Sequence, residues 1–314
     1  MIRALALACL LLPGAAAGAQ SYDTMDRAQC ESLLTRVDML GLGAPIEAGT
    51  ARVEEGACLF EQVVISGPDA YVDYGLDRAR VRIGGAARLE HGLPPEALEI
   101  EVAGAHLVYR TGVDPAVDWL MGEQMRADGG IALVLRAHWE RDSKRLVIED
   151  ASADFPWDNS LRMSAVVEGL DLTDAMAMQL SAMQTGLARA EVEMVSHGLF
   201  EQIFMLPLGT ALLSGGGDVP TEQRVEAMRA QALEALATVP EMVMNAEARQ
   251  AAAALLADLP HPVGRVRVEL RAEPVLGALR MAPAVMTGRV PETVEDIWPM
   301  LEGVTLGVVY APDE

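Results

Sequence analysis

The side chains able to do chemistry are few and scattered. Five histidines stand singly at 91, 106, 138, 197 and 261, and only His138-Trp139-Glu140 puts a histidine and a carboxylate on one face of an extended segment. Two such ligands make no metal site without a third, and the sequence offers no third. Met176-Ala177-Met178 and Met242-Val243-Met244 pair thioethers of the kind that suit Cu(I). Residues two apart lie about 200° apart around a helix, so each pair's sulfurs face opposite ways, and soft core packing accounts for them better. Ser214 lacks the Gly-x-Ser-x-Gly turn that exposes a nucleophile. Gly215-Gly216-Gly217-Asp218 lacks the Gly-Lys-Ser/Thr ending of a phosphate loop. Carboxylate pairs such as Asp154 with Asp158, or Glu295 with Asp296, are what 46 acidic residues produce by chance, and they read as a solvated face. No catalytic residue, cofactor or metal is therefore expected.

The remaining reactive pair is Cys30 and Cys58. The start of the chain says which chemistry they meet: Arg3, the apolar run Ala4 to Leu12, Pro13-Gly14 and Ala17-Gly18-Ala19 have the form of a secretory signal peptide, with cleavage expected after Ala19. The apolar core is too short to span a bilayer, and no later run approaches the required ~18 residues, so no transmembrane anchor is expected. Cys9 leaves with the leader, and Cys30 and Cys58 are then expected to form a disulfide in an oxidising compartment. Lys144 is the sole lysine and Asn occurs only at 159 and 245, a bias that with abundant Ala and Gly points to a GC-rich bacterial genome and a periplasmic address.

A formal net charge of −22 repels nucleic acid and anionic headgroups, which disfavours DNA binding or tethering by a basic patch. The chain is 51% hydrophobic but only 4% aromatic, with 17 methionines, so its core must be aliphatic and stacking platforms for bases or sugars are scarce.

The elements that would position any site alternate irregularly. Helical spacing covers Asp26 to Leu40, with caps expected at Asp23 and Thr24. Period-2 alternation marks strands at Leu76 to Ile83 and Leu98 to Val102, and the turn Arg141 to Lys144 joins Ile131–Glu140 and Arg145–Asp154 as a hairpin. Strands follow at Leu161–Glu168, Leu187–Ser196, Arg265–Arg271 and Val304–Tyr310. Helices are expected at 115–127, 173–184, 198–213, 221–239, 241–256 and 292–300. The expected fold class is α+β, with one or more extended, curved antiparallel sheets carrying helices on one side. Residues 20–112 and 113–314 are expected as an N-terminal β-rich part and an α+β part with Ala-rich helices, separable near Thr111 to Asp114 or merged into a single domain. Leu98 to Leu107 and Met163 to Leu172 share a Val-x-Gly-x-x-Leu ending, read either as a repeated ββαβ unit or as coincidence.

The run from Ile131–Glu140 through a charged turn to Leu146-Val-Ile-Glu-Asp150, then the Val-x-Gly-x-x-Leu strand and Leu187-Ala-Arg-Ala-Glu-Val192, resembles the AsmA-like group of Gram-negative envelope proteins over residues 97–204. That resemblance implies a long antiparallel sheet whose apolar concave face shelters acyl chains. The missing membrane anchor and the Ala-rich helices after Gly217 depart from it. From the residues themselves, one apolar face per strand predicts an elongated groove lined by Ile131, Leu133, Leu135 and Trp139, opposite Met163, Ala165, Met176 and Met183. The expected function is a non-enzymatic envelope protein holding a lipid, an acyl chain or an envelope protein partner along that groove. An interaction module without ligand is the alternative, and a periplasmic hydrolase the third.

Overall fold

Ten segments, some alternating apolar with polar residues as in β3 and β4 and others opening on apolar runs as in β2 and β5, become the strands of one open antiparallel sheet. The computed structural model describes residues 21–36, 46–67, 72–110, 114–127, 129–213, 219–280 and 298–312. The expected leader 1–19, Cys9, Ser214 to Asp218, Thr111 to Val113, and Glu295 and Asp296 lie outside the described residues.

The strands are β1 (Ile46–Glu54), β2 (Ala57–Ile65), β3 (Val72–Gly84), β4 (Ala97–Tyr109), β5 (Ile131–Glu140), β6 (Arg145–Asp154), β7 (Ser160–Glu168), β8 (Gly186–Ser196), β9 (Gly264–Gly277) and β10 (Val304–Ala311). Their spatial order is their sequence order, a pure meander. The helices are α1 (Arg27–Arg36), α2 (Pro115–Ala127), α3 (Ala175–Ser181), α4 (Met205–Leu213), α5 (Thr221–Thr238) and α6 (Ala246–Asp258), with a π-helical turn Phe200–Phe204 leading into α4. The fold is α+β, with a curved sheet that does not close. β4 and β5 pair directly, so the sheet runs unbroken across residues 111–113.

Register sorts the side chains completely by face. One row of Cα partners crosses the whole sheet as Val53, Cys58, Val81, Ile100, Leu135, Ala151, Met163, Val192, Val268 and Val308. The neighbouring row on the other face reads Arg52, Leu59, Arg80, Glu101, Val134, Ser152, Arg162, Glu193, Arg267 and Val309. A slip of one residue in any strand would exchange the two, so burial of any part of the apolar face fixes register for the rest. Irregularities in the ladders keep that sorting while bending the strands. At Gly104 the bulge requires glycine: φ is 68° and a Cβ would lie 2.1 Å from the Asp77 carboxylate. Gly169 shares a positive φ of 79°, but it leaves β7 whereas Gly104 stays inside β4, so the two Val-x-Gly-x-x-Leu copies diverge after the glycine.

Among the described residues, helices form hydrophobic clusters with the sheet at its two ends, and α2 lies against β4. At one end α1 lays Leu33, Leu34 and the buried Cys30 over Cys58, Phe60, Val63 and Ala79. Its N-terminus is a reciprocal pair, in which the Asp26 carboxylate accepts from the Gln29 N–H and the Gln29 amide oxygen accepts from the Asp26 N–H. Asp23, expected as the cap, instead accepts from the Ala86 N–H and stitches the N-terminal segment to the β3–β4 connection. At the far end Val239, Val243, Met244 and Ala248 around the α5–α6 hairpin bury Leu306 and Val308 of β10. Asn245 caps α6 by accepting from the Ala248 N–H. The Val243 carbonyl accepts from the Leu306 N–H at 2.6 Å and so occupies the outer edge of the last strand.

Cys30 and Cys58 are joined, with Cα atoms 5.3 Å apart across a sequence separation of 28. Both are fully buried. Restricting a loop of that length stabilises the fold by about 3.5 kcal/mol on the chain-entropy account. Denaturant unfolding with and without reductant should therefore differ by about 3 kcal/mol, with no free thiol in the untreated protein. Equal unfolding midpoints would show that α1 needs no covalent tie.

Candidate functional site

Between the two helical caps the apolar face lies open. Among the described residues no helix makes more than marginal contact with β5 to β9. Burial is densest in β2 and β3 under α1, while Leu133, Leu135 and Val192 in the middle of the sheet are only partly buried and Met163 is 39% exposed. α2 lies against β4, so the open stretch runs from β5 to β9 and measures about 19 Å at the usual strand spacing. The floor is recessed where small residues recur along it, with Ala151 paired to Leu135 and Met163, and Ala165 set between Ile148 and Ala190. Alanines leave volume that leucines in the same places would fill. The result is a trough.

Six of the eight residues expected in the groove lie on this face. Ile131, Leu133, Leu135 and Trp139 alternate along β5, and register brings Met163 and Ala165 onto the same side two strands away. They lie side by side along one floor rather than facing each other across a cleft. Met176 and Met183 do not join them. They sit on and just after α3, in the β7–β8 connection, 72% and 55% exposed, and with that much surface in water they form no wall against Leu133 and Leu135.

In a meander, successive connections alternate between the two edges where strands end. The lower rim, with the β3–β4, β5–β6 and β7–β8 connections, is sealed around Trp139, which is 6% exposed. Its indole N–H donates to the Leu170 carbonyl at 2.8 Å, and the Arg88 and Arg141 guanidinium groups stand 5.4 and 5.8 Å from the ring centroid. Arg88 also donates to the Pro94 and Leu172 carbonyls, and Arg141 pairs with Glu96 at 2.6 Å. Lys144 ties the β5–β6 turn to the β7–α3 connection through Asp171 at 2.9 Å. This closure was invisible in the sequence because its partners lie up to 84 positions apart. The sole signal was an isolated tryptophan on an apolar face.

The opposite face is a lattice of ion pairs. Arg136 donates to Glu99 at 3.0 Å and to Glu101 and Asp150 at 3.3 Å, and Arg82 shares Glu99. The hydrogen bond to Glu99 is the main reason that Arg136 is held above its ordinary pKa. Tyr22 packs beside this cluster, and burial, then Glu99 and Glu149, push its phenol up. Glu269 is pulled down by its hydrogen bond from Arg271, with Arg189 and Arg267 nearby. His138 lies among Glu140 at 3.7 Å and Glu149 at 3.3 Å, on this polar face and away from the trough. Among the described residues no three His, Cys, Asp or Glu side chains group as metal ligands. Asp154 and Asp158 are both exposed, Asp154 pairing with Arg162 at 3.7 Å.

Compared with protein-family models and with curated protein sequences, the chain matches none. The geometry alone must carry the functional reading. It offers an aliphatic surface without hydrogen-bonding groups, closed at one rim.

The lower-rim tie can be tested by titration. Asp171 is lowered from 3.8 to about 2, first by hydrogen bonding to Thr173 and then by Lys144. A depressed carboxylate favours the fold above its ordinary pKa, and that contribution is lost as pH falls from 3.8 toward about 2. In Lys144→Met the Asp171 carboxyl, followed by NMR, should titrate closer to 3.8. An unchanged titration would mean that the lysine does not hold the turn.

Proposed function

We propose that the trough over β5 to β9 binds the acyl chain of a lipid, and that the protein is a non-enzymatic component of the cell envelope. The observation that carries this reading is the partly exposed aliphatic face in the middle of a ten-stranded sheet that the described helices leave uncovered from β5 to β9. A soluble protein rarely leaves so large an apolar patch to water, so the face is a binding surface. Its chemistry selects the ligand. Leu135, Ala151, Met163, Val192 and Val268 offer no donor or acceptor and no aromatic plane, which suits a flexible hydrocarbon and neither a sugar nor a planar ring. Methionine and leucine adapt to chains of variable shape.

Dimensions agree. An acyl chain spans half of a bilayer's hydrocarbon core, about 15 Å, which fits within the open stretch. The leader-like pattern of residues 1–19 and the resemblance of residues 97–204 to AsmA-like proteins, both read from the sequence, favour an envelope address.

Each buried methylene contributes about 0.8 kcal/mol, so affinity for saturated fatty acids should rise up to about fourfold per added carbon until the trough is filled. Leu135→Glu places a charge at the centre of the floor, and Ala151→Phe fills the recess between Leu135 and Met163. Either should weaken saturable binding of a fluorescent fatty acid by about tenfold or more. Both positions are only half-buried, so thermal unfolding should stay near that of the wild type. A wild type with no saturable binding, or variants that bind unchanged, would overturn the proposal.

A further inference from the structure

The rim opposite Trp139 is as apolar as the lower rim is closed. It collects the β4–β5, β6–β7 and β8–β9 connections, which carry α2, the turn Pro156 to Asn159, and the π turn with α4 to α6. Trp119 on α2 is 63% exposed, Trp157 in the turn 61%, and Leu206 on α4 76%, with Leu120 and Leu208 also exposed. Two of the four tryptophans in an aromatic-poor chain thus stand in water at one rim.

Trp157 is held there deliberately. It and Asp158 adopt φ of 60° and 58°, a left-handed conformation that bulky residues avoid. The turn is locked from behind by Asn159, 2% exposed, whose amide donates to the Pro156 carbonyl at 2.8 Å and whose oxygen accepts from the His197 N–H at 2.6 Å. A buried polar clamp therefore fixes an exposed indole beside the start of the π turn and α4. Strain of this kind persists where the surrounding structure over-determines it, typically at sites of function.

We infer that this upper rim docks on the surface of a lipid bilayer, so that acyl chains pass from the membrane into the mouth of the trough. The inference rests on the acyl-binding reading, because a ligand that insoluble in water has to be collected from a membrane. The surface itself also fits a bilayer better than a protein. Its apolar groups are dispersed over connections from β4 to β9, about 24 Å apart at the extremes. A laterally continuous interface accepts scattered insertions, whereas a protein partner is usually recognised through a clustered, fully desolvated centre. Indoles, with an apolar body and one N–H, are the side chains that settle at the headgroup level. Asp118, Glu123, Asp158 and Glu201 accompany the apolar groups on these connections, and the whole chain carries −22, so the preferred bilayer is zwitterionic. Anionic lipid should repel the rim, and salt should relieve that repulsion by screening.

The test is flotation of the purified full chain with phosphatidylcholine vesicles. The wild type should float, and its tryptophan emission should shift to the blue. Replacing a fifth of the lipid by phosphatidylglycerol, about 20% on the scale of natural anionic surfaces, should weaken binding at low salt and restore it at high salt. The double substitution Trp119→Ser with Trp157→Ser should lower partitioning by about tenfold or more, and Leu206→Ser should lower it independently. All three residues are exposed, so the thermal unfolding of these variants should match the wild type. The double variant should still bind a soluble fluorescent fatty acid saturably, which separates docking from the trough. A wild type that stays with the aqueous fraction, or a double variant that floats as well as the wild type, would overturn the docking surface and favour a protein partner there. A wild type that floats but binds no fatty acid would sink the trough reading instead and leave the docking surface standing.

Discussion

The structure depends on a mismatch between the size of one apolar face and the helices available to cover it. Ten strands in sequence order, aligned so that Val53, Cys58, Val81, Ile100, Leu135, Ala151, Met163, Val192, Val268 and Val308 fall in one row, make a continuous hydrophobic surface. In a two-layer α+β protein that surface would lie under helices along its length. Here α1 takes one end and the α5–α6 hairpin the other, and the middle strands satisfy their backbone hydrogen bonds through the ladder while their side chains remain half in water.

The devices at the ends follow from that mismatch. An open sheet of this width needs its termini anchored, because each end strand has a neighbour on one side only. Joining Cys30 to Cys58 fixes α1 onto β2, and the Val243 carbonyl caps the outer edge of β10. The ion-pair lattice on the opposite face adds specificity of register rather than much stability, since exposed pairs contribute little individually. Arg136 bridging Glu99, Glu101 and Asp150 spans three strands at once, which a slipped register would break. The two rims then differ in their indoles: Trp139 is buried among guanidinium and carbonyl groups, with Met176, Leu180 and Met183 exposed beyond it on and just after α3, while the other rim presents Trp119 and Trp157 to solvent.

Much of this was legible in the sequence, and the reasons are local. The hairpin Ile131–Glu140 and Arg145–Asp154 has the expected bounds, because the charged turn Arg141 to Lys144 separates two segments rich in β-branched and aliphatic residues. Six groove residues follow from alternation along the strands. Where tertiary contacts decide, sequence falls short. β9 runs on past Arg271 through Pro274 to Gly277, since Glu273 to Val275 fall in a stretch without ladder partners in β8, where a missing N–H costs nothing. α6 starts at Ala246 rather than Glu241 because Asn245 supplies the cap. Met176 and Met183 obey helical spacing with Leu180, yet α3 stops at Ser181 and its apolar stripe meets no sheet. A pattern shows which residues share a face, and only the fold shows whether anything lies opposite.

The central claim is that the uncovered face holds hydrocarbon, and native mass spectrometry of the full chain purified without detergent tests it most directly. The account predicts a stoichiometric adduct that organic extraction releases as a lipid or fatty acid, displaced by added saturated fatty acid and missing from Leu135→Glu. The bare polypeptide mass, unchanged by excess fatty acid, would contradict it.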